Sequence, residues 1–142
     1  MKKRTLFLLT LTLSVITLFE FCVTPKYSQV IPGRWKMIQH FTDGVDDTER
    51  YKETYDVYAF NFQNDGSYFE HFSFVGMMNS TKGTWRIVDK NQLVLSDDIN
   101  VRNSRIFKIL ELSKDKFRFS YDHSVLIFAP IPAGEKIFNE MK

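Results

Sequence analysis

The sequence predicts an all-β fold, one eight-stranded antiparallel up-and-down β-barrel, on three observations. Beyond residue 32 the chain breaks into short segments of alternating apolar and polar residues, turn formers separate those segments at close intervals, and no stretch before the C-terminal tail keeps a helical apolar period. Composition agrees, since 14 Phe, 6 Tyr and 2 Trp in 142 residues suit half-buried strands better than a helix bundle. With 44% hydrophobic and 25% charged residues the proportions are globular, which argues against disorder and leaves room for one domain.

Residues 1–22 stand apart as a signal segment. Lys2, Lys3 and Arg4 form a charged start, and the apolar run from Thr5 to Phe19 follows before Glu20 interrupts it. The run is shorter than the roughly 20 residues a membrane-spanning helix needs, so export is expected rather than a permanent anchor. Cys22, the only cysteine, stands directly after the run, where bacterial lipoprotein signals place the acylated residue. The preceding Phe19-Glu20-Phe21 departs from the small residues usual there, so Cys22 is either a lipidation site or one more residue of the signal. No second cysteine exists for a disulfide, and stability must come from the core. Removing Lys2, Lys3, Arg4 and Glu20 from 19 basic and 17 acidic residues leaves 16 of each. A neutral domain without a basic stripe argues against nucleic acid as a partner.

Residues 23–32 form a short linker, and residues 33–130 hold the barrel. Strands are expected near 34–42, 54–63, 67–77, 82–88, 92–96, 105–112, 116–122 and 124–129. Asn64-Asp65-Gly66 supplies the positive φ of a hairpin turn, and Asp89-Lys90-Asn91 and Ser113-Lys114-Asp115 are short polar connections, so neighbours are antiparallel. Closure into a barrel is favoured over a sandwich because it removes exposed strand edges. Pro130-Ile131-Pro132 ends the last strand, and the tail, residues 131–142, is expected to be able to form a short helix with Ile137, Phe138 and Met141 on one side.

Gly33-Arg34-Trp35 at the start of the first strand, Phe60 to Tyr68 with its Asn-Asp-Gly turn, Gly83-Thr84-Trp85-Arg86-Ile87, Leu93-Val94-Leu95 and Phe107-Lys108-Ile109 with Leu112 follow one another in a telling order. Together they resemble the small bacterial lipocalin-like domain family over residues 33–129. The resemblance implies a lipocalin-like barrel, exported and often lipid-anchored, with a small apolar ligand. The chain departs from typical transport lipocalins in having no Thr-Asp-Tyr between strands six and seven and no basic residue in the last strand to stack on Trp35.

Alternation along each strand then assigns the lining. Trp35, Met37 and Phe41 are expected inward, followed by Tyr58, Phe60 and Phe62, then Tyr68, Glu70, Phe72 and Phe74 with His71 outward. Trp85, Ile87, Leu93, Leu95, Phe107, Ile109, Phe117, Phe119, Tyr121, Leu126 and Phe128 complete it. The ligand-binding candidates are Trp35, Met37, Tyr58, Phe60, Tyr68, Glu70, Phe72, Phe74, Trp85, Phe107, Phe119 and Tyr121. Glu70 is the exception among them, because a carboxylate in an apolar barrel is costly unless paired or neutral. It either orients the polar head of a ligand, sits at the rim, or is turned outward by a β-bulge that puts the third strand out of phase. The charged connection from Thr42 to Glu53 is either a lid over the barrel mouth or a solvated loop.

No catalytic, metal or cofactor signature stands beside these. His40, His71 and His123 lie in different segments without ligand spacing, and Asp122-His123-Ser124 is sequential, so its side chains cannot converge as a triad. Asp43 to Asp47 lacks the ordered oxygen spacing of a calcium loop, and no glycine-rich phosphate loop occurs. The leading function is a binding protein for a small hydrophobic or amphipathic molecule; the alternative is a protein-interaction or structural module with a filled barrel, such as an inhibitor or assembly subunit, and an enzyme comes third. Membrane contact is expected only through the signal or a lipid on Cys22. If Cys22 is acylated, Cys22→Ser moves the protein from the membrane fraction to the soluble one; unchanged fractionation with an unmodified N-terminus assigns Cys22 to the signal.

Overall fold

The computed structural model describes residues 27–98 and 104–137. The expected signal, its Cys22, residues 23–26 of the linker and Phe138 and Met141 of the tail lie outside the described residues. A short helix α1 (Tyr27–Val30) precedes β1 (Gly33–Thr42), the two-residue β2 (Val45–Asp46) and helix α2 (Thr48–Thr54). Then come β3 (Tyr58–Phe62), β4 (Ser67–Phe74), β5 (Met77–Val88), β6 (Gln92–Asp97), β7 (Ser104–Leu112), β8 (Phe117–Tyr121) and β9 (Ser124–Pro130).

Each strand from β3 to β9 pairs antiparallel with the next, and β1 pairs with both β3 and β9. The sheet is therefore a closed barrel of eight strands, to which β2 adds a short strip beside the upper end of β1. The turns at 63–66, 89–91 and 113–116 lie at one end, with both barrel termini. The β1–β3 connection, the β4–β5 turn, the end of β6, the start of β7 and the β8–β9 turn share the other end, the mouth.

The closed end is solid. Ile31, Phe62, Tyr68, Leu93, Leu95, Phe117, Phe119 and Phe128 are almost fully buried, and Phe60 on β3 reaches Phe119 on β8 with ring centroids 6.4 Å apart, so aromatic side chains meet across the barrel axis. Phe119 stacks on Phe128 at 5.2 Å and Trp35 meets Phe117 edge-on at 5.6 Å. Ile31, directly after α1, plugs this end and its carbonyl accepts a 2.8 Å hydrogen bond from Trp35 Nε1. The buried indole N–H thus has its partner, as does that of Trp85 in the Gln63 carbonyl at 3.0 Å.

Several elements differ from the sequence reading. A bulge between Met37 and Gln39 shifts the alternation of β1 by one, turning Ile38 outward and placing His40 inward where Phe41 was expected. A second irregularity between Ile109 and Glu111 likewise turns Leu110 out and lets Leu112 pack on the core. The third strand ends at Phe74 instead of running to residue 77, and its partner begins at Met77 instead of 82, because Val75 and Gly76 make a two-residue turn with φ of 49° and 74°. A valine in the first turn position concealed that hairpin. The second strand begins at Tyr58, since residues 48–54, expected to contain no helix, form α2. Ala133 and Gly134 form a turn, Gly134 with φ of 91°, and no helix forms in the described part of the tail; residues 138–142 lie outside the described residues.

Positive φ at Val75 costs about 1–2 kcal/mol for a β-branched residue. Its side chain is 70% exposed and recovers little by packing. Val75→Asn is expected to stabilise the protein by about 1 kcal/mol in urea unfolding, with the slope of the transition unchanged.

Candidate functional site

Halfway up the barrel the lining changes from hydrocarbon to a linked polar cluster. Glu70 on β4 is 4% exposed, and its carboxylate takes two hydrogen bonds from Arg105 on β7, Nη1 to Oε1 at 2.8 Å and Nη2 to Oε2 at 2.5 Å. The pair spans the interior between strands that are not neighbours in the sheet. Tyr58 on β3 donates to Glu70 Oε1 at 2.7 Å. Tyr68 on β4 donates to Asp97 Oδ1 on β6, and Arg105 Nη2 lies 3.2 Å from both Tyr68 Oη and Asp97 Oδ1.

Each member is there for a reason legible in strand phase. Arg105, Phe107 and Ile109 alternate on one face of β7, and Leu93, Leu95 and Asp97 on one face of β6. The same alternation that assigned Phe107 and Leu95 inward extends to Arg105 and Asp97, and the sequence reading stopped at the last apolar residue. Gly83 on β5 makes room: a Cβ there would stand 2.2 Å from the Ser96 carbonyl oxygen and 2.9 Å from Tyr68 Cε1. Any side chain would push β6 and the Tyr68 ring apart.

The electrostatics follow from burial and pairing. Burial opposes the charge on Arg105, but the hydrogen bonds and charge of Glu70 outweigh it and hold the guanidinium more firmly protonated than a free arginine. Burial, then the Glu70 charge, pushes the Tyr58 phenol well up; burial and the hydrogen bond to Asp97 do the same for Tyr68. Both phenols therefore remain donors at any physiological pH. Arg105 Nε is enclosed with no hydrogen-bond partner among the described residues. An enclosed N–H without an acceptor costs about 1–3 kcal/mol.

Above the cluster, α2 lies across the mouth. Tyr51, one helical turn before Tyr55, stacks on it at 4.8 Å, and Tyr55 approaches Phe72 at 6.3 Å and Phe74 at 5.6 Å. On the barrel side Tyr51 stacks on His40 with centroids 4.0 Å apart. His40 Nδ1 meets Asp47 Oδ1 at 2.6 Å, Thr42 donates to Asp47 Oδ2 at 2.9 Å, and the His40 backbone N–H donates to Thr48 Oγ1 at 2.9 Å. The hydrogen bond from His40 is the main reason the Asp47 carboxyl ionises below its ordinary range, and an ionised carboxylate makes Nδ1 the donor. Asp46 begins the helix by accepting from both the N–H and the hydroxyl of Thr48. The seam between this lid and β1 is a cleft of about 450 Å³ lined by His40, Thr42, Asp47, Arg50, Tyr51 and Tyr55 among others.

Of the lining candidates, Trp35, Met37, Phe60, Tyr68, Trp85, Phe107 and Phe119 are buried, and Glu70 with them. Tyr58 and Phe72 are half-buried below the lid, whereas Phe74 and Tyr121 stand 40% and 43% exposed at the rim. Both lie at strand ends and are covered on one side alone, Phe74 by Tyr55 at 5.6 Å and Tyr121 by Phe107 at 4.9 Å. The sequence reading missed Arg105, Asp97, His40, Asp47, Tyr51 and Tyr55.

The cluster makes a stability prediction. Glu70→Gln leaves the Arg105 charge without its carboxylate and is expected to cost about 3 kcal/mol. Replacing both, Glu70→Met with Arg105→Met, is expected to cost less than Glu70→Gln alone, because the one charge then left without an ionic partner, Asp97, is 24% accessible and keeps its hydrogen bond from Tyr68; a double-mutant cycle in urea measures both.

The pattern of the lipocalin-like domain family matches residues 31–119, from Ile31 at the plug to Phe119 in β8. A lipocalin-like protein from Bacteroides uniformis has a similar crystal structure, with TM-score 0.57 and 19% identity over 71% of this chain and 98% of that one. An uncharacterized protein from Bacteroides eggerthii aligns with TM-score 0.52 and 15% identity over 70% and 98% of the two chains. At these identities the likeness concerns the fold. No curated protein matches the sequence. The chain belongs to the lipocalin-like domain family.

Proposed function

We propose that this protein is an exported binding protein that holds one small hydrophobic or amphipathic molecule in the mouth half of its barrel, beneath α2. The observation that carries the reading is the change of lining: aromatic side chains fill the closed end, while the mouth half combines an ion-paired polar floor with the half-buried rings of Tyr58, Phe72, Tyr51 and Tyr55. A core built only for stability has little use for Glu70 and Arg105, since well-packed apolar residues serve at least as well. An eight-stranded barrel either fills with side chains or holds one small ligand, and here the two halves divide those roles. Phe107 and the rings beneath the lid suit an apolar body, and the polar floor suits a head group. Export is supported by the charged and apolar segments of residues 1–19, and Cys22 offers a lipid attachment that would place the protein on a membrane. The protein acts by binding and release, with no catalytic group assigned.

One observation favours a second reading, a protein-interaction module. Phe74, Val75, Met77 and Met78 are all exposed at the β4–β5 turn beside the mouth. Such an apolar tip suits a partner surface.

Volume decides between them. An apolar fluorescent probe such as phenylnaphthylamine is expected to bind in about one-to-one ratio. Trp35→Ala, at the solid end, is expected to cost about 3–5 kcal/mol, and Phe72→Ala, under the lid, clearly less. Absence of probe binding together with equal damage from the two truncations identifies a filled barrel and the interaction reading.

A further inference from the structure

The polar floor is not uniformly available to a ligand. Glu70 keeps 5% of its side-chain surface accessible, against 25% for Arg105 and 24% for Asp97. Both Glu70 oxygens are occupied, Oε1 by Arg105 and Tyr58 and Oε2 by Arg105. Asp97 uses only Oδ1, for Tyr68 and Arg105, and its Oδ2 has no hydrogen-bond partner among the described residues. Among the described residues Arg105 Nη1 makes a single hydrogen bond, to Glu70, so one of its two hydrogens is unspent, while Nε is enclosed. The two partly exposed side chains therefore offer one acceptor, Asp97 Oδ2, and one donor, Arg105 Nη1, held side by side through the 3.2 Å contact of Nη2 with Oδ1.

Charge narrows the choice further. Two carboxylates and one guanidinium give the cluster a formal charge of −1. A ligand carboxylate would seek a guanidinium whose charge is already met twice, and would lie against Asp97 with no proton between them. A ligand ammonium would find Asp97 only beside Arg105. An uncharged group avoids both penalties, and one that carries an acceptor next to a donor answers Arg105 and Asp97 together.

We propose that the mouth half selects ligands with an uncharged head group presenting a carbonyl acceptor and an N–H donor on one edge, a carboxamide or lactam, and discriminates against carboxylates. The carbonyl accepts from Arg105, the N–H donates to Asp97 Oδ2, and the apolar remainder lies against Phe107 and Tyr58 beneath the lid. This selectivity rests on the binding reading above.

Displacement of phenylnaphthylamine from the purified protein by octanamide, octanoate and octylamine tests it. Octanamide is expected to displace the probe at the lowest concentration, with octanoate needing about tenfold more. Asp97→Asn removes one negative charge and is expected to shrink the gap between octanamide and octanoate to under about threefold. The wild-type ranking decides without the variant: octanoate or octylamine equal to or better than octanamide overturns the selectivity while leaving a binding protein. A gap unchanged by Asp97→Asn in a folded variant also overturns it. Failure of the probe itself to bind overturns the binding reading, and the selectivity with it.

Discussion

Everything in this barrel depends on β1 pairing with two partners at once. Its lower residues, Gly33 to Lys36, ladder with β3, while the strand from Trp35 to Thr42 ladders with β9. Closure removes both edges of the sheet and converts eight half-apolar strands into one enclosed interior. It also leaves the upper part of β1 without β3 beside it, since the chain departs to form β2 and α2 before returning at Tyr58. The lid occupies the gap that this divergence creates. The bulge at Ile38 belongs to the same arrangement: by shifting the phase it brings His40 inward, under the ring of Tyr51 and within reach of Asp47.

The interior is divided by chemistry as well as by depth. Below, rings contact rings, and the two indole N–H groups are each satisfied by a backbone carbonyl at the closed end. Above, one carboxylate and one guanidinium from opposite sides of the barrel are joined by two phenols and a second carboxylate. Removing charges from water is expensive, and their mutual attraction roughly compensates only when geometry is good and the remaining polar atoms are satisfied. Glu70 meets that condition fully. Arg105 does not: among the described residues its enclosed Nε and one hydrogen of Nη1 have no acceptor.

The lid is held by interactions of a different kind. Its contacts with the barrel are a stacked imidazole and phenol, one ionic hydrogen bond and a threonine hydroxyl on the β1 side, and the rings of Tyr55 against Phe72 and Phe74 with one backbone hydrogen bond from Val75 to Thr54 on the β4 side. A local set of contacts can open without disturbing the closed sheet beneath, because local unfolding follows the density of buried contacts. Such a separation between a rigid container and a loosely held cover suits entry and exit of a bound molecule.

The sequence by itself determined the barrel. Alternating segments, polar turns and the abundance of aromatic residues specify antiparallel strands with one apolar face each, and closure is the economical way to bury eight such faces. It also placed Glu70 inside, because Tyr68 on the same strand fixes the phase. What tertiary structure decided lies where phase is broken or chain-distant residues meet. The β1 bulge is invisible in a pattern of alternation, so Phe41 and His40 exchanged faces; the positive φ of Val75 hid a hairpin; and α2 is too short for any apolar period to show. Arg105 and Asp97 lay on inward faces that alternation could extend to, but a basic residue at an inward position is costly in isolation and reads as an end of the core. Only its partner across the barrel, 35 residues earlier in the chain, makes the position favourable, and that pairing is a property of closure rather than of any local segment.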